Sequence, residues 1–517
     1  MTVEEKSEAT QVVVEVAVTK EEVLQEEKET EKVQQVKDVI DGDECKEGKM
    51  VEKSSSYREE SNFPSDLKEF EKKALNDLKS KLEEAILGNK LFKKEVAKEA
   101  PKVSPKNEGE GEKEETEEAA KEGEEKVEEK KDGKEEKEGD EEKKTEENTQ
   151  EKSDEKNGEE GEKADVDVEV DKGISIWGVP LLASKGHEGT DVVLLKFLRA
   201  RDFKVNEAFE MLKKTLQWRK ELNIDLVLDE DLGADLASVA YMNGVDREGR
   251  PICYNIFGVL DDAELYKKTF GTEEKRTQFL RWRVQLMEKG IQKLDFKPGG
   301  VNSLLQINDL KNSPGPSRKE VRVATKQAVA LLQDNYPEFA AKNIFINVPF
   351  WYYAFHALLS PFLTQRTKSK FIIARPAKVT ETLLKYIPIQ EIPIQYGGLK
   401  RDVDFEFSTA DGEASEIVIK GGSTEIVEIP APEIGTTFVW DLTVVGWEVN
   451  YKEEFVPTDE NSYTIIVQKE RKLASNEEPI RKTFKNHEPG KILLNIQNSS
   501  SKKKKAFYRY KIKKSSF

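Results

Sequence analysis

The sequence is poor in residues that do chemistry. Its 517 residues include only three histidines and two cysteines. His187, His356 and His487 stand too far apart for metal-ligand spacing, so no metal site is expected. There is no phosphate loop of the GxxxxGK(S/T) type, no GxGxxG after a strand, no GxSxG and no HExxH. No catalytic residue or cofactor is therefore assigned, and an enzyme on a Rossmann-like sheet is the disfavoured reading. Cys45 and Cys253 lie in unrelated contexts, which argues against a disulfide framework and fits a reducing compartment. Cys253 reads as a small buried side chain of a strand, and His356 as a satisfied core residue. The N-terminus, MTVEEKSEAT, lacks the basic-then-apolar layout of a signal peptide, so a cytoplasmic protein is expected. A net charge of −18 disfavours nucleic acid as a partner.

Charge is missing from one stretch in particular. Asn343–Gln365, NIFINVPFWYYAFHALLSPFLTQ, has no Asp, Glu, Lys or Arg, although 36% of the chain is charged. Its 23 residues are long enough to cross a bilayer. Pro349 and Pro361 argue against a span, because each removes a backbone donor. The better parse is a buried strand, Ile344–Val348, then a helix, Phe350–Ser360, with Pro349 at its start. That helix is apolar nearly all round and needs apolar contact on more than one side.

The opposite extreme lies between Pro101 and Asp165, where 28 acidic residues and 14 lysines fill 65 positions without one aromatic. Such a stretch buries too little apolar surface to offset the entropy of ordering, and a disordered acidic linker is expected. Residues 1–172 as a whole read as disordered, Glu/Lys-rich chain with one amphipathic helix near 65–87. Leu67, Phe70, Ala74, Leu78, Leu82, Ala85 and Ile86 form its stripe and Gly88 stops it. Whether it docks on the later domain or on a partner stays open.

Globular sequence starts near Ile174. A helix capped by Thr190 runs through LLKFLRA, and a second, striped by Val205, Ala208, Met211, Leu212 and Leu216, completes a helical subdomain at 173–232. From 233 to 408, strands Ile252–Phe257, Val301–Ile307, Ile344–Val348 and Phe371–Ala374 alternate with helices Thr272–Leu294, Ser317–Asp334 and Lys378–Tyr386. This alternation implies an α/β domain with a largely parallel sheet. From 409 to 517 the period changes to two, with strands expected at Glu416–Lys420, Glu425–Ile429, Thr437–Val449, Ser462–Lys469, Lys491–Gln497 and Ala506–Lys513. A separate all-β sandwich follows. Lys502–Lys505 is expected as an exposed loop forming an anionic-membrane patch, each cation near such a surface contributing about 1 kcal/mol.

Several motifs fall in a recognisable order: LLKFLRARDFKVNEAFEMLKKTLQWRKEL, DREGRPICY, LLQDNYPEFAAKNIFINVPFWYYAFHALLSPFL, then KFIIA and LLKYIPIQEIPIQYGG. Over Asp191–Leu399 the chain resembles the Sec14 (CRAL-TRIO) lipid-transfer family. The acidic N-terminus, WGVPLL and a C-terminal domain similar to a GOLD domain extend the resemblance to the plant patellins. The resemblance implies a cavity for one membrane lipid closed by a mobile apolar helix. Phe350, Trp351, Tyr352, Phe355, Leu358, Leu359 and Phe362 would then be lid and membrane contacts. Independently, a lipid's CH₂ groups need shielding from water at about 0.8 kcal/mol each, which a large apolar lining supplies.

The family's phosphoinositide headgroup site maps onto Arg201, Glu338 and Lys370. Two fixed cations suit a phosphate, while Glu338 would accept inositol hydroxyls or orient Lys370. Read without the resemblance, Arg201 and Glu338 are ordinary surface or ion-pair residues. Phe339 stands where a relative has an arginine. Leu304 and Gln306 replace hydroxyl residues that hold a choline lipid in the yeast relative, so phosphoinositide is expected over phosphatidylcholine. No cofactor is expected beyond a bound phospholipid. The expected partners are phosphoinositide-containing membranes and proteins bound through the GOLD-like domain. The patellin resemblance adds membrane trafficking, including peripheral association with the cell plate of dividing plant cells. The competing reading is a lipid-sensing adaptor that transfers nothing and recruits partners through its β-domain and N-terminal arm.

Overall fold

The computed structural model describes residues 60–92, 173–314, 318–349, 369–446, 448–474 and 477–513. The acidic stretch 101–165 and the expected lid residues Phe350, Trp351, Tyr352, Phe355, Leu358, Leu359 and Phe362 lie outside the described residues. Among the described residues no helix is long and apolar enough to cross a membrane.

The amphipathic helix forms as α1, Glu69–Leu87, and buries Ala74, Leu75, Leu78, Leu82, Ala85 and Ile86. Its partner is this chain's own helical subdomain, which settles the open question of where it docks. The stripe shares one core with Val192–Leu198 of α2 (Gly189–Ala200) and Ala208, Met211, Leu212 and Leu216 of α3 (Val205–Glu221). Each fully buried leucine contributes about 1.5–3 kcal/mol, so the stripe alone accounts for docking. Lys79 pairs with Asp191, and Arg199 with Glu60 at 2.9 Å. Phe70 departs from expectation: it is 57% exposed and meets Phe203 edge-on at 5.6 Å. Thr190 is not the cap of α2 either. It lies inside the helix, and its hydroxyl donates to Pro180 O at 2.8 Å. That bond ties α2 to a short hairpin, β1 (Ser175–Ile176) and β2 (Val179–Pro180).

A five-stranded sheet follows, in the order β3-β4-β5-β6-β7. Its strands are Ala240–Val245, Pro251–Ile256, Leu304–Asp309, Ala340–Ile346 and Phe371–Ile373. All pairings are parallel except β3 with β4. Between strands run α4 (Ala263–Phe270), α5 (Glu273–Ile291), α6 (Lys319–Asn335) and, after β7, α7 (Val379–Leu383). Thr272 caps α5, accepting from Lys275 N. The unanticipated β3 is the antiparallel edge of an otherwise parallel sheet. Among the described residues its only neighbour is β4, and AYMNGV, carrying Asn243 and Gly244, shows little alternation.

The C-terminal domain is a sandwich of two four-stranded antiparallel sheets, β13-β10-β15-β8 and β12-β11-β14-β9. In order, β8–β15 are Ser415–Ile419, Thr424–Ala431, Thr437–Val445, Asn450–Pro457, Ile465–Lys472, Ile480–Lys485, Gly490–Gln497 and Lys504–Lys513. Two strands exceed expectation. In β11 the inward positions are Tyr451, Glu453 and Phe455, so a carboxylate interrupts the apolar alternation. β13 is six residues of mixed charge, IRKTFK.

The sandwich packs on the α/β domain. Phe507 of β15 enters the core formed by Ile252, Tyr254, Leu305, Ile307 and Ile344, with Leu383, Tyr396 and Leu399. Thr443 Oγ1 donates to Gly397 O at 2.9 Å, and Arg509 Nη2 to Leu399 O at 3.0 Å. The IQYGG segment is thus the seam of the two domains. Gly397, at φ +81°, turns a backbone there that a side chain would strain.

Candidate lipid-binding site

Two of the three expected headgroup residues meet. Glu338 ends the loop after α6 and Lys370 immediately precedes β7, so the two flank the sheet from separate segments. Lys370 Nζ lies 2.7 Å from Glu338 Oε2, with both side chains about a quarter exposed or less, at 24% and 20%. The backbone of Glu338 is left-handed, at φ +56°. A non-glycine residue in that region costs of the order of 1–3 kcal/mol and persists only where its surroundings over-determine it.

The surroundings include a lysine to which the sequence pattern assigned no role. Lys196, buried in α2, donates from Nζ to Glu338 O at 2.9 Å and to Asn302 Oδ1 at 3.2 Å. The same ammonium sits 4.3 Å from the centre of the Phe339 ring. One cation in the otherwise apolar run VVLLKFL was the available signal, since a buried lysine needs a partner. Phe339 is itself buried and meets Trp177 edge-on at 4.6 Å. The aromatic that stands in place of an arginine therefore belongs to the packing beneath Glu338.

Among the described residues Arg201 makes no hydrogen bond or ion pair with Glu338 or Lys370. It caps the C-terminus of α2, and its Nη1 donates to Ala200 O at 3.0 Å. Its neighbour Arg199 is wholly structural, held by Asn62, Ser61 O and Glu60. Among the described residues no carboxylate pairs with Arg201.

The sheet has two unlike faces. Toward the sandwich, Tyr254, Ile307, Ile344 and Ile372 align across the strands in an apolar row. The other face has the rows Met242–Cys253–Gln306–Asn343–Phe371 and Ala240–Asn255–Asn308–Phe345–Ile373. Gln306, Asn343, Phe345, Phe371 and Ile373 remain only partly covered. Burial pushes the Cys253 thiol up to about 11, although Arg283 works the other way. Cys253 is inert packing, as its strand position implied.

Lys502–Lys505 is half loop and half strand. Lys502 and Lys503 are exposed in the turn, whereas Lys504 and Lys505 open β15 in register with Ile419 and Val418. Lys505 pairs with Glu416 at 2.6 Å, and loss of solvent pulls the Lys504 ammonium down. The strand extends because Val445 and Val418 offer ladder partners on both sides.

Comparison with known proteins covers nearly the whole chain. The CRAL/TRIO domain matches residues 237–398, its N-terminal domain residues 74–214, and the Patellin-1-like C-terminal GOLD domain residues 420–504. The N-terminal match spans α1 and α3, so the acidic stretch falls between helices of one subdomain. Patellin-4 of Arabidopsis thaliana is 58% identical over 99% of both chains. Patellin-5 of the same plant is 54% identical over 66% of this chain and 51% of its own. Phosphatidylinositol transfer protein SFH5 of Scheffersomyces stipitis is 30% identical over 40% of this chain and 66% of its own.

Proposed function

Because this chain belongs to the patellin family, with a CRAL/TRIO domain followed by a GOLD domain, we propose that it carries a membrane lipid and transfers or presents phosphoinositides at membrane surfaces. The observation that carries this reading is the Lys370–Glu338 pair, 2.7 Å apart and partly exposed. It sits on a backbone held by Lys196. The pair directly flanks the charge-free stretch Asn343–Gln365. An arriving inositol phosphate meets a positioned ammonium in Lys370, and Glu338 is freed to accept ring hydroxyls. Arg201 supplies the second cation from the end of α2. The similarity to a phosphatidylinositol transfer protein supports the same ligand class. Membrane trafficking, including work at the cell plate, is the cellular setting we propose.

Inter-vesicle transfer tests it. Wild type should move a phosphoinositide between liposomes, and Lys370→Ala or Arg201→Ala should lower that rate at least about tenfold, the worth of one charge-assisted hydrogen bond. Unchanged transfer in both variants would remove the headgroup assignment. One feature favours the adaptor reading if wild type transfers nothing. Among the described residues β12 is the outer strand of its sheet, and Ile466 within it and Tyr463 just before it are 60% and 91% exposed, an open edge suited to pairing with another chain.

A further inference from the structure

The uncovered face of the sheet contains a polar network that ends in unmatched donors. Arg283, on α5, reaches down to β4, where its Nη1 donates to Asn255 Oδ1 at 2.9 Å. A guanidinium only donates, so the oxygen of Asn255 must face it and the amide nitrogen must face away. That nitrogen donates to Gln306 Oε1 at 3.1 Å and to Asn308 Oδ1 at 3.2 Å. The orientation propagates: both neighbours present oxygen inward, so both turn their NH₂ groups outward. Every side-chain oxygen of the cluster is used. The remaining N–H groups of Arg283 and the amide of Gln306 have no protein acceptor among the described residues.

Charge is unmatched as well. No carboxylate faces Arg283 among the described residues. Loss of solvent pulls the guanidinium pKa down, opposed only by Cys253. Yet part of Arg283 and of Gln306 is left uncovered by protein. A guanidinium largely removed from solvent is costly enough that such groups are normally paired.

We propose that Arg283, Asn255, Gln306 and Asn308 form a second binding site, for the oxyanion of a hydrophobic ligand: a lipid phosphodiester or a fatty carboxylate. It lies on the sheet floor, separate from Lys370–Glu338. The donor excess selects an acceptor, and the positive charge disfavours a quaternary ammonium. The inference rests on the lipid-carrier reading.

The test uses the full chain, as wild type, Arg283→Met and Gln306→Leu, with native mass spectrometry of captured ligands. Thermal shifts with phosphatidylinositol, oleate and inorganic phosphate, each alone, form the second measurement. Wild type should retain anionic lipids, and Arg283→Met should lower the anionic-to-neutral ratio about tenfold or more, since a charge-assisted bond is lost. Gln306→Leu should move it the same way by less, and stands in if Arg283→Met does not fold. Stabilisation by phosphatidylinositol or by oleate identifies a phosphodiester or a carboxylate; stabilisation by inorganic phosphate alone assigns the site to the free anion. Unchanged ratios in folded variants overturn the proposal and leave the carrier reading intact, as does a wild type filled only with neutral lipid. A wild type that captures no lipid and is shifted by none of the three overturns both.

Discussion

The arginines at the seam of the domains and Arg283 on α5 are satisfied differently. At the seam of the domains, Arg481 donates to Asp441 from Nε at 2.6 Å and to Asp404 from Nη1 at 2.7 Å. Arg509 donates to Asp441 Oδ2 at 2.8 Å, and both guanidinium groups lie over the Phe407 ring, at 5.2 and 4.2 Å. Two cations meet two anions and the network closes. Burial pulls the Arg481 pKa down, but Asp441 and Asp404 more than reverse it. Arg283 on the sheet floor has one amide oxygen instead, and there burial wins. A closed network is architecture. An open one of the same residue type, inside a domain of a lipid-carrier family, marks where a ligand belongs.

The largest effect expected from breaking this contrast is at the closed end. Asp441→Ala leaves two half-buried arginines with one carboxylate between them and should cost about 3–5 kcal/mol, read from urea unfolding of the full chain. A loss below about 1 kcal/mol would mean that the network does not hold the seam. At the open end, Arg283→Met in the ligand-free protein should be neutral or stabilising, because it deletes an uncompensated charge. A comparable destabilisation there would erase the distinction.

A third buried charge sharpens the comparison through pH. Glu453 accepts from Tyr451 OH at 2.8 Å and Trp440 Nε1 at 3.3 Å through one oxygen, while its other oxygen has no partner among the described residues. Burial raises its pKa, and the two hydrogen bonds only partly offset this. The folded state therefore favours the protonated acid. Its contribution is fully present below the unfolded carboxylate pKa and is lost as pH rises through the raised folded value. Glu453→Gln should remove that slope and gain about 1 kcal/mol at neutral pH, measured as unfolding midpoints across pH. A variant whose pH profile matches wild type would contradict this. Smallest in stability is Lys505→Ala, whose pair with Glu416 is exposed at both ends. It should change unfolding by less than about 1 kcal/mol. Lys502→Glu with Lys503→Glu should still weaken binding to anionic liposomes at low salt, by about 1 kcal/mol per cation removed. Equal binding would discard the patch.

Where apolar residues recur regularly, the chain was legible. The stripe Ala74, Leu78, Leu82 and Ala85 foretold α1, and the change of period after residue 408 foretold the sandwich. Strands were missed where a charge occupies an inward position, as Glu453 does in β11, or where little alternates, as in β3. Of the residues proposed for the headgroup, Glu338 and Lys370 meet. Lys196 beneath them went unassigned because its partner, Glu338 O, is a backbone atom 142 residues away. Arg283 stood in the helical pattern RWRVQL with nothing to set it apart. Its significance depends on β4–β5 register, which places Asn255 beside Asn308.

The sequence by itself determined the scarcity of catalytic groups, the order of helical, α/β and β segments, and the family. Each rests on local pattern, because the hydrophobic effect rewards periodicity that neighbours along the chain already display. Only the tertiary structure decided which charges meet: Arg481 and Arg509 with Asp404 and Asp441, Lys370 with Glu338, and Arg283 with no acid among the described residues. Pairing depends on separations of a few ångströms between residues distant in sequence, and the packing of apolar faces sets those separations without regard to the charges it brings along.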